Sequence, residues 1–326
     1  MISILSNKSI FRLSFTILFL VGGWLAFVSF RHNWDMDLKS AFSNFNEVTL
    51  LTSLTMIVLQ IFLMGLSWTV INQRLEVGDV SFNSYMRAYI LGIPARYIPG
   101  KVASYVSRAY LLDRTKISKA RLAVGYGYEA AFQLIAGSIL SSLVFLHGFG
   151  SSDKLIYGYT ILFTCVIAIL AVWDKPFRIL VSLYEKTKGA ESSLSFEAIR
   201  PLDSVKILVL NLISVLVSGL GFFFCINTFF VFSLGNLLVA VGISALSGLI
   251  GALVFFIPSG IGVREGVIVS FLSLIMPAGN SIIVAALFRI IAVLADIIVV
   301  LLVAGLWGAS ELRQLRKYKK AKSDFL

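Results

Sequence analysis

GIPARYIPGKVASYVSR, residues 92–108, is the stretch that decides the fold. It sets two prolines, two glycines, two arginines and a lysine inside a chain that is otherwise mostly hydrocarbon-like. In a bilayer every interrupted backbone hydrogen bond must be re-satisfied and every buried cation must find a partner, so such a stretch is costly unless it has a use. Just upstream, Phe82, Tyr85, Met86, Tyr89, Ile90 and Ile93 fall at i, i+3, i+4, i+7, i+8 and i+11, which is one face of an α-helix. Downstream, Lys101, Ser104 and Arg108 share a face of a second helix, predicted to begin near Pro99, where proline is well tolerated in a first turn. Gly92-Ile93-Pro94 and Pro99-Gly100 break the backbone between them. The pattern predicts a re-entrant helical hairpin near 80–112 that enters and leaves the bilayer on the same side.

The rest of the chain supplies the setting. Of 326 residues, 58% are hydrophobic and only 14% charged, and the mean hydropathy is +0.91. Soluble domains use about 45–50% apolar and about 25% charged residues, so the class is integral membrane. The apolar runs are roughly 20 residues long, the length of a spanning helix, rather than the roughly 10-residue alternation of an outer-membrane barrel. The expected fold is all-α: a polytopic bundle of about eight transmembrane helices, plus the hairpin and a broken helix at 258–266. The runs fall at 13–30, 48–71, 122–146, 155–172, 205–232, 234–257 and 282–307, with a seventh in chain order opening at the 258–266 break and ending near Pro277. Residues 13–30 lack an A-x-A-like cleavage site and read as a retained span rather than a signal peptide. A single transmembrane domain over 1–312 is expected, with a long basic loop at 173–204 and a basic tail at 313–326.

The net charge of +11 fits this class better than nucleic-acid binding. Lysine and arginine accumulate on the cytoplasmic side of a membrane protein and meet anionic headgroups there. With the amino terminus inside and the hairpin not crossing, only Arg31, Lys39 and Lys154 fall outside. The expected location is therefore the cell (inner, cytoplasmic) membrane, with both termini cytoplasmic. Cys165 and Cys225 sit in apolar runs, and His32 and His147 lie just past span ends, which offers no disulfide framework, metal site or catalytic triad. No G-x-x-x-x-G-K-[ST] loop is present, and no cofactor is expected.

Three groups of residues carry candidate chemistry. Arg96, Lys101 and Arg108, with Tyr97 and Ser104 beside them, could bind a lipid phosphate at the helix start near Pro99-Gly100, where free N–H groups and the positive dipole end favour an anion. The alternative is that these cations snorkel to headgroups from an interfacial helix, which explains the charges but not the paired Pro and Gly breaks. PSGIGVREG, residues 258–266, is a second interruption and carries Arg264 and Glu265. Two such breaks, one in each half, point to a central site made from discontinuous helices; the alternative is a kink with an internal ion pair. Glu129, Arg289 and Asp296 lie inside spans and are functional candidates by default, with Glu129 and Arg289 a natural pair, either structural or coupled to proton movement. Asp35-Met36-Asp37, a D-x-D in the first outer loop, is a weaker candidate for acid/base or metal work.

Arg96-Tyr97-Ile98-Pro99-Gly100-Lys101-Val102 with Arg108, and Pro258-Ser259-Gly260-Ile261-Gly262-Val263-Arg264-Glu265-Gly266, together resemble the two signature blocks of the flippase-like membrane family. That family is typified by the transmembrane region of bacterial lysyl-phosphatidylglycerol synthetases. The resemblance spans essentially the whole chain. It implies a bundle associated with aminoacylated phospholipids or polyprenyl-linked sugars of the envelope, with Arg96, Lys101, Arg108, Arg264, Glu265 and Arg289 as functional positions. Two features depart from the family pattern. Only about ten tail residues follow Arg316, so the aminoacyl-transferase activity of the synthetases is not expected of this chain, and Glu129-Ala130 stands where an acidic residue followed by a basic one is expected.

The sequence therefore points to a flippase-like protein that binds and moves an anionic lipid for envelope or polysaccharide biogenesis. An envelope-lipid synthase or glycosyltransferase is the partner class this implies. Two alternatives stand beside it: a membrane glycosyltransferase using Asp35 and Asp37, and a non-transporting accessory subunit of a glycan pathway. A transporter is favoured over an enzyme.

Overall fold

The structure is a computed structural model that describes residues 44–75, 80–98, 102–112, 118–148, 199–254 and 257–323. Eight α-helices and three 3-10 turns occupy these residues, with no strand among them. The spans expected at 13–30 and 155–172, the D-x-D at Asp35 and Asp37, and Pro99-Gly100-Lys101 lie outside the described residues.

The frame is an antiparallel pair. Helix α1, Glu47–Arg74, opens on Asn46, whose side chain accepts from the Val48 and Thr49 N–H groups at 3.0 and 3.2 Å. Such a cap contributes about 1 kcal/mol by satisfying donors that the first turn leaves free. Helix α5, Pro201–Ile226, starts with proline at its first position and packs along the length of α1. Their ends are tied at both extremes. The Asn46 N–H donates to the Thr228 carbonyl at 2.9 Å, and Arg74 meets Asp203 at 3.3 Å. Between these ties, Asn211 Nδ2 donates to Ser67 Oγ at 2.8 Å and Ser53 Oγ to the Gly221 carbonyl at 2.7 Å. Lipid tails are as apolar as leucine, so helices in a bilayer associate through close approach and such polar contacts rather than hydrophobic burial.

Helices α4, Lys119–Gly148, and α6, Leu237–Leu253, pack against each other and against α5. Helix α8, Ala278–Ser323, closes the bundle against α1 and continues without interruption into the basic tail expected from 313 onward. Among the described residues, four helical segments are long and apolar enough to cross a membrane: Glu47–Arg74, Leu202–Ile226, Leu234–Leu253 and Ala278–Trp307.

Two short assemblies sit within this frame. The helix–break–helix pattern is present as α2, Phe82–Leu91, a 3-10 turn, Ile93–Tyr97, and α3, Val102–Leu111, while the start expected near Pro99 lies outside the described residues. Each helix has ten residues and rises about 15 Å, half of a hydrocarbon core of about 30 Å. Trp68, Tyr85 and Tyr89 anchor α2 to α1 through ring contacts of 5.7 and 5.9 Å. The second assembly is the 3-10 turn Pro258–Gly260 followed by α7, Val263–Leu272.

The seventh span is shorter than the sequence suggests. Its helix stops at Leu272 and turns through 273–276 rather than running to Pro277. Proline disfavours helical geometry in the residue before it, and Ser273 Oγ bonds back to the Val269 carbonyl at 2.6 Å. Helix α5 likewise ends before Phe232. Asn227 donates to the Phe223 carbonyl at 2.9 Å and accepts from the Phe232 N–H at 3.0 Å, closing the chain into a capped loop.

Candidate functional site

The two 3-10 turns, far apart in sequence, touch each other inside the bundle. Around them gather four arginines and three carboxylates from the hairpin, α4, the second break and α8, and their pairing defines the site.

Arg108, on α3, is 8% exposed and donates through Nη1 to Glu129 Oε2 at 2.6 Å. Its guanidinium carbon also lies 4.3 Å from the Tyr89 ring centre, 5.1 Å from Trp68 and 5.4 Å from Tyr126. Gln133, one turn beyond Glu129 on α4, donates to the other carboxylate oxygen at 3.2 Å. The acid and base are therefore both held, in an aromatic cage drawn from three helices. Breaking such a buried pair costs about 3–5 kcal/mol, because the remaining charge is left unpaired.

Arg96 and Tyr97, in the first 3-10 turn, both bind Asp296 of α8; Arg96 Nη2 and the Tyr97 hydroxyl, at 2.6 Å, donate to the same Oδ2. Arg289, on the same face of α8, reaches the second break instead. It pairs with Glu265 at 3.5 Å and donates to the Ser259 carbonyl at 3.4 Å. Glu265 accepts in turn from the Gly262 N–H at 2.6 Å, capping α7. Helix α8 thus clamps both breaks. Ser259 holds φ at 51°, with Gly260 at 66° and Gly262 at 84°. A left-handed serine costs about 1–2 kcal/mol and presents its carbonyl to Arg289.

These contacts revise one sequence expectation and remove one alternative. Glu129 pairs with Arg108 rather than Arg289, and Arg264 and Glu265 form no internal ion pair, since Glu265 faces Arg289. Helical spacing shows which residues share a face, but a carboxylate's partner is set by which neighbouring helix brings a cation closest. Arg96 and Arg108, expected as phosphate ligands, are already neutralised by Asp296 and Glu129. Ser104 lines the same cavity as Arg108. Lys101 lies outside the described residues.

The remaining arginine is Arg264. It has no carboxylate or carbonyl partner among the described residues, and its Nε is buried without an acceptor. Its stem runs through a slot between two glycines. A methyl built on Gly251 would come within 2.6 Å of Arg264 Cγ, and one on Gly260 within 3.2 Å. The slot aims the guanidinium into two adjoining cavities. The first, about 220 Å³, is lined by Tyr89, Arg96, Ser104, Arg108, Glu129 and Ser259; the second, about 120 Å³, by Gln60, Ser218, Ser244, Ser247, Glu265 and Arg289. Arg264, Gln133, Met64, Leu134 and Ala252 line both. Along α4 the pair of cavities advances from Tyr126 to Gly137, about 16 Å at about 1.5 Å per residue.

The two broken elements were legible in the sequence. The glycine slot, the aromatic cage and the hydroxyl-bearing wall of the second cavity were not. The last did leave a trace, since Ser244, Ser247, Gly248 and Gly251 fall at i, i+3, i+4 and i+7 on α6.

A family model described as the lysylphosphatidylglycerol synthase TM region matches residues 13–302, in agreement with the multi-pass architecture. Among curated proteins, none matches the chain.

Proposed function

We infer that this chain, which belongs to the lysylphosphatidylglycerol synthase transmembrane-region family, binds an anionic lipid headgroup at Arg264 and moves it across the cell membrane. The observation that carries this reading is the charge balance of the site. Among the described residues, three of its four arginines are matched by Asp296, Glu129 and Glu265, and one, Arg264, is left facing two cavities. An unpaired cation at membrane depth is expensive, and a phosphate would offset that cost with charge-assisted hydrogen bonds.

The paired arginines shape the cavity wall and lock the breaks in place, while Arg264 supplies the attraction. Acyl chains need not leave the hydrocarbon, because only the headgroup has to enter the polar track between the cavities. The track supports movement better than simple binding, since it extends along α4 for about half the hydrocarbon thickness of about 30 Å. On this reading the hairpin wall that carries Arg96, Ser104 and Arg108 forms the approach to the site.

The test is translocation in proteoliposomes with acyl-labelled lipids. We expect the native chain to move a phosphatidylglycerol probe faster than a phosphatidylcholine probe. Equal rates for the two, or no movement of either above protein-free liposomes, would overturn the reading.

A further inference from the structure

We propose that the headgroup taken at Arg264 carries one net negative charge and neutral hydroxyl groups, as in a glycerol or sugar phosphate, and that a cationic, aminoacylated headgroup is rejected. This inference rests on the translocation reading and narrows its substrate.

The first argument is the state of the carboxylates. A lysyl or other ammonium-bearing headgroup needs a free acid to replace its hydration. Glu129, which lines the first cavity, is held by Arg108 and Gln133, and Glu265, which lines the second, by Arg289 and the Gly262 N–H. Asp296 binds Arg96 and Tyr97 through Oδ2 alone and its Oδ1 is buried without a donor, but it lines neither cavity. To serve an ammonium group, Glu129 or Glu265 would first have to release its arginine. Among the described residues, the charged group of the cavities that no opposite charge pairs with is the cation Arg264, so an incoming ammonium meets repulsion where a phosphate meets attraction.

The second argument is the wall that continues beyond Arg264. Gln60, Gln133, Ser218, Ser244 and Ser247 bring neutral donors and acceptors from four helices to the second cavity. Gln133 donates to Glu129 at 3.2 Å and the Ser247 hydroxyl to the Ser244 carbonyl at 3.3 Å, but the Ser218 and Ser244 hydroxyls stand 3.5 Å apart and Gln60 Nε2 reaches only the Met64 sulfur at 3.4 Å. Groups of this kind match hydroxyls, which donate and accept, rather than charges. Space is also reserved there, because a methyl built on Gly248 meets nothing within 4 Å. A phosphate at Arg264 would therefore project its substituent toward hydroxyl-matching groups.

The experiment compares three acyl-labelled probes in the same proteoliposomes. Phosphatidylglycerol is a hydroxylated monoanion. Phosphatidylpropanol has the same charge and a similar size without hydroxyls, and lysyl-phosphatidylglycerol carries net positive charge. We expect phosphatidylglycerol to move at least tenfold faster than either of the others. Lysyl-phosphatidylglycerol moving as fast as phosphatidylglycerol would overturn the charge assignment, and phosphatidylpropanol doing so would overturn the hydroxyl assignment, while both results leave translocation standing. If none of the three moves above protein-free liposomes, the translocation reading and this inference fall together. A Ser244→Ala/Ser247→Ala double variant supplies a second check. It should slow phosphatidylglycerol several-fold with little change for phosphatidylpropanol, and an equal effect on both would assign the serines to packing and count against the hydroxyl assignment.

Discussion

Arg264 and Gly251 share one slot: the glycine has no side chain because the arginine's stem occupies that space, with Cγ within 2.6 Å of where a methyl would sit. The contact fixes where the unpaired guanidinium points. Replacing Gly251→Ala should raise local helix propensity yet displace the arginine, so translocation of an anionic lipid is expected to fall while the helical far-ultraviolet spectrum is retained. If the slot acts only through Arg264, the double variant with Arg264→Gln should be no slower than Arg264→Gln alone. Additive losses in the two single variants would separate the glycine from the arginine.

The Arg108 and Glu129 pair is expected to matter more for stability than for recognition. Arg108→Met or Glu129→Leu alone strands one buried charge and should lower stability by about 3–5 kcal/mol, whereas the double replacement should recover much of the loss. Thermal unfolding in detergent measures this directly. Single variants with native midpoints would mean that the cage of Tyr89, Trp68 and Tyr126 carries no strained charge when the pair is opened.

The different legibility of these features has a physical origin. Prolines and glycines act locally, so Gly92, Pro94, Pro258 and Gly260 announced both breaks, and the apolar face from Phe82 to Ile93 announced α2. Ion pairing is a property of helix placement. Arg108 and Glu129 lie on different helices, α3 and α4, and nothing in their spacing distinguishes this pairing from Glu129 with Arg289. The same limit hid the importance of Arg264, whose distinction is that no carboxylate among the described residues pairs with it. The end of α7 at Leu272 was also obscured, because an apolar run continues to Met276 while the backbone has already turned.

Asp296 joins the hairpin to α8 through Arg96 and Tyr97. Asp296→Asn should weaken both contacts, and hydrogen bonds to charged groups contribute about 1.5–3 kcal/mol each. We expect faster amide hydrogen exchange across 93–98 in this variant and a smaller increase in Tyr97→Phe, which loses one donor only. Unchanged exchange in Asp296→Asn would show that packing alone holds the turn.

Gly248 offers a way to fill the second cavity without disturbing its charges. No atom lies within 4 Å of a methyl built there, so Gly248→Leu should fold normally. Its side chain would occupy space beside Ser244 and Ser247, and phosphatidylglycerol movement should drop by tenfold or more. Native rates in a well-folded Gly248→Leu protein would place the headgroup's path elsewhere.

The most direct measurement is the initial rate of phosphatidylglycerol movement in proteoliposomes for native, Arg264→Lys and Arg264→Gln proteins, each matched for reconstituted amount and thermal midpoint. Loss of charge-assisted contacts worth about 1.5–3 kcal/mol corresponds to a slowing of roughly ten- to hundredfold. The account expects that loss in Arg264→Gln and partial retention in Arg264→Lys, which keeps the charge but not the forked geometry. Native rates in a folded Arg264→Gln protein would contradict the assignment of Arg264 as the anion site.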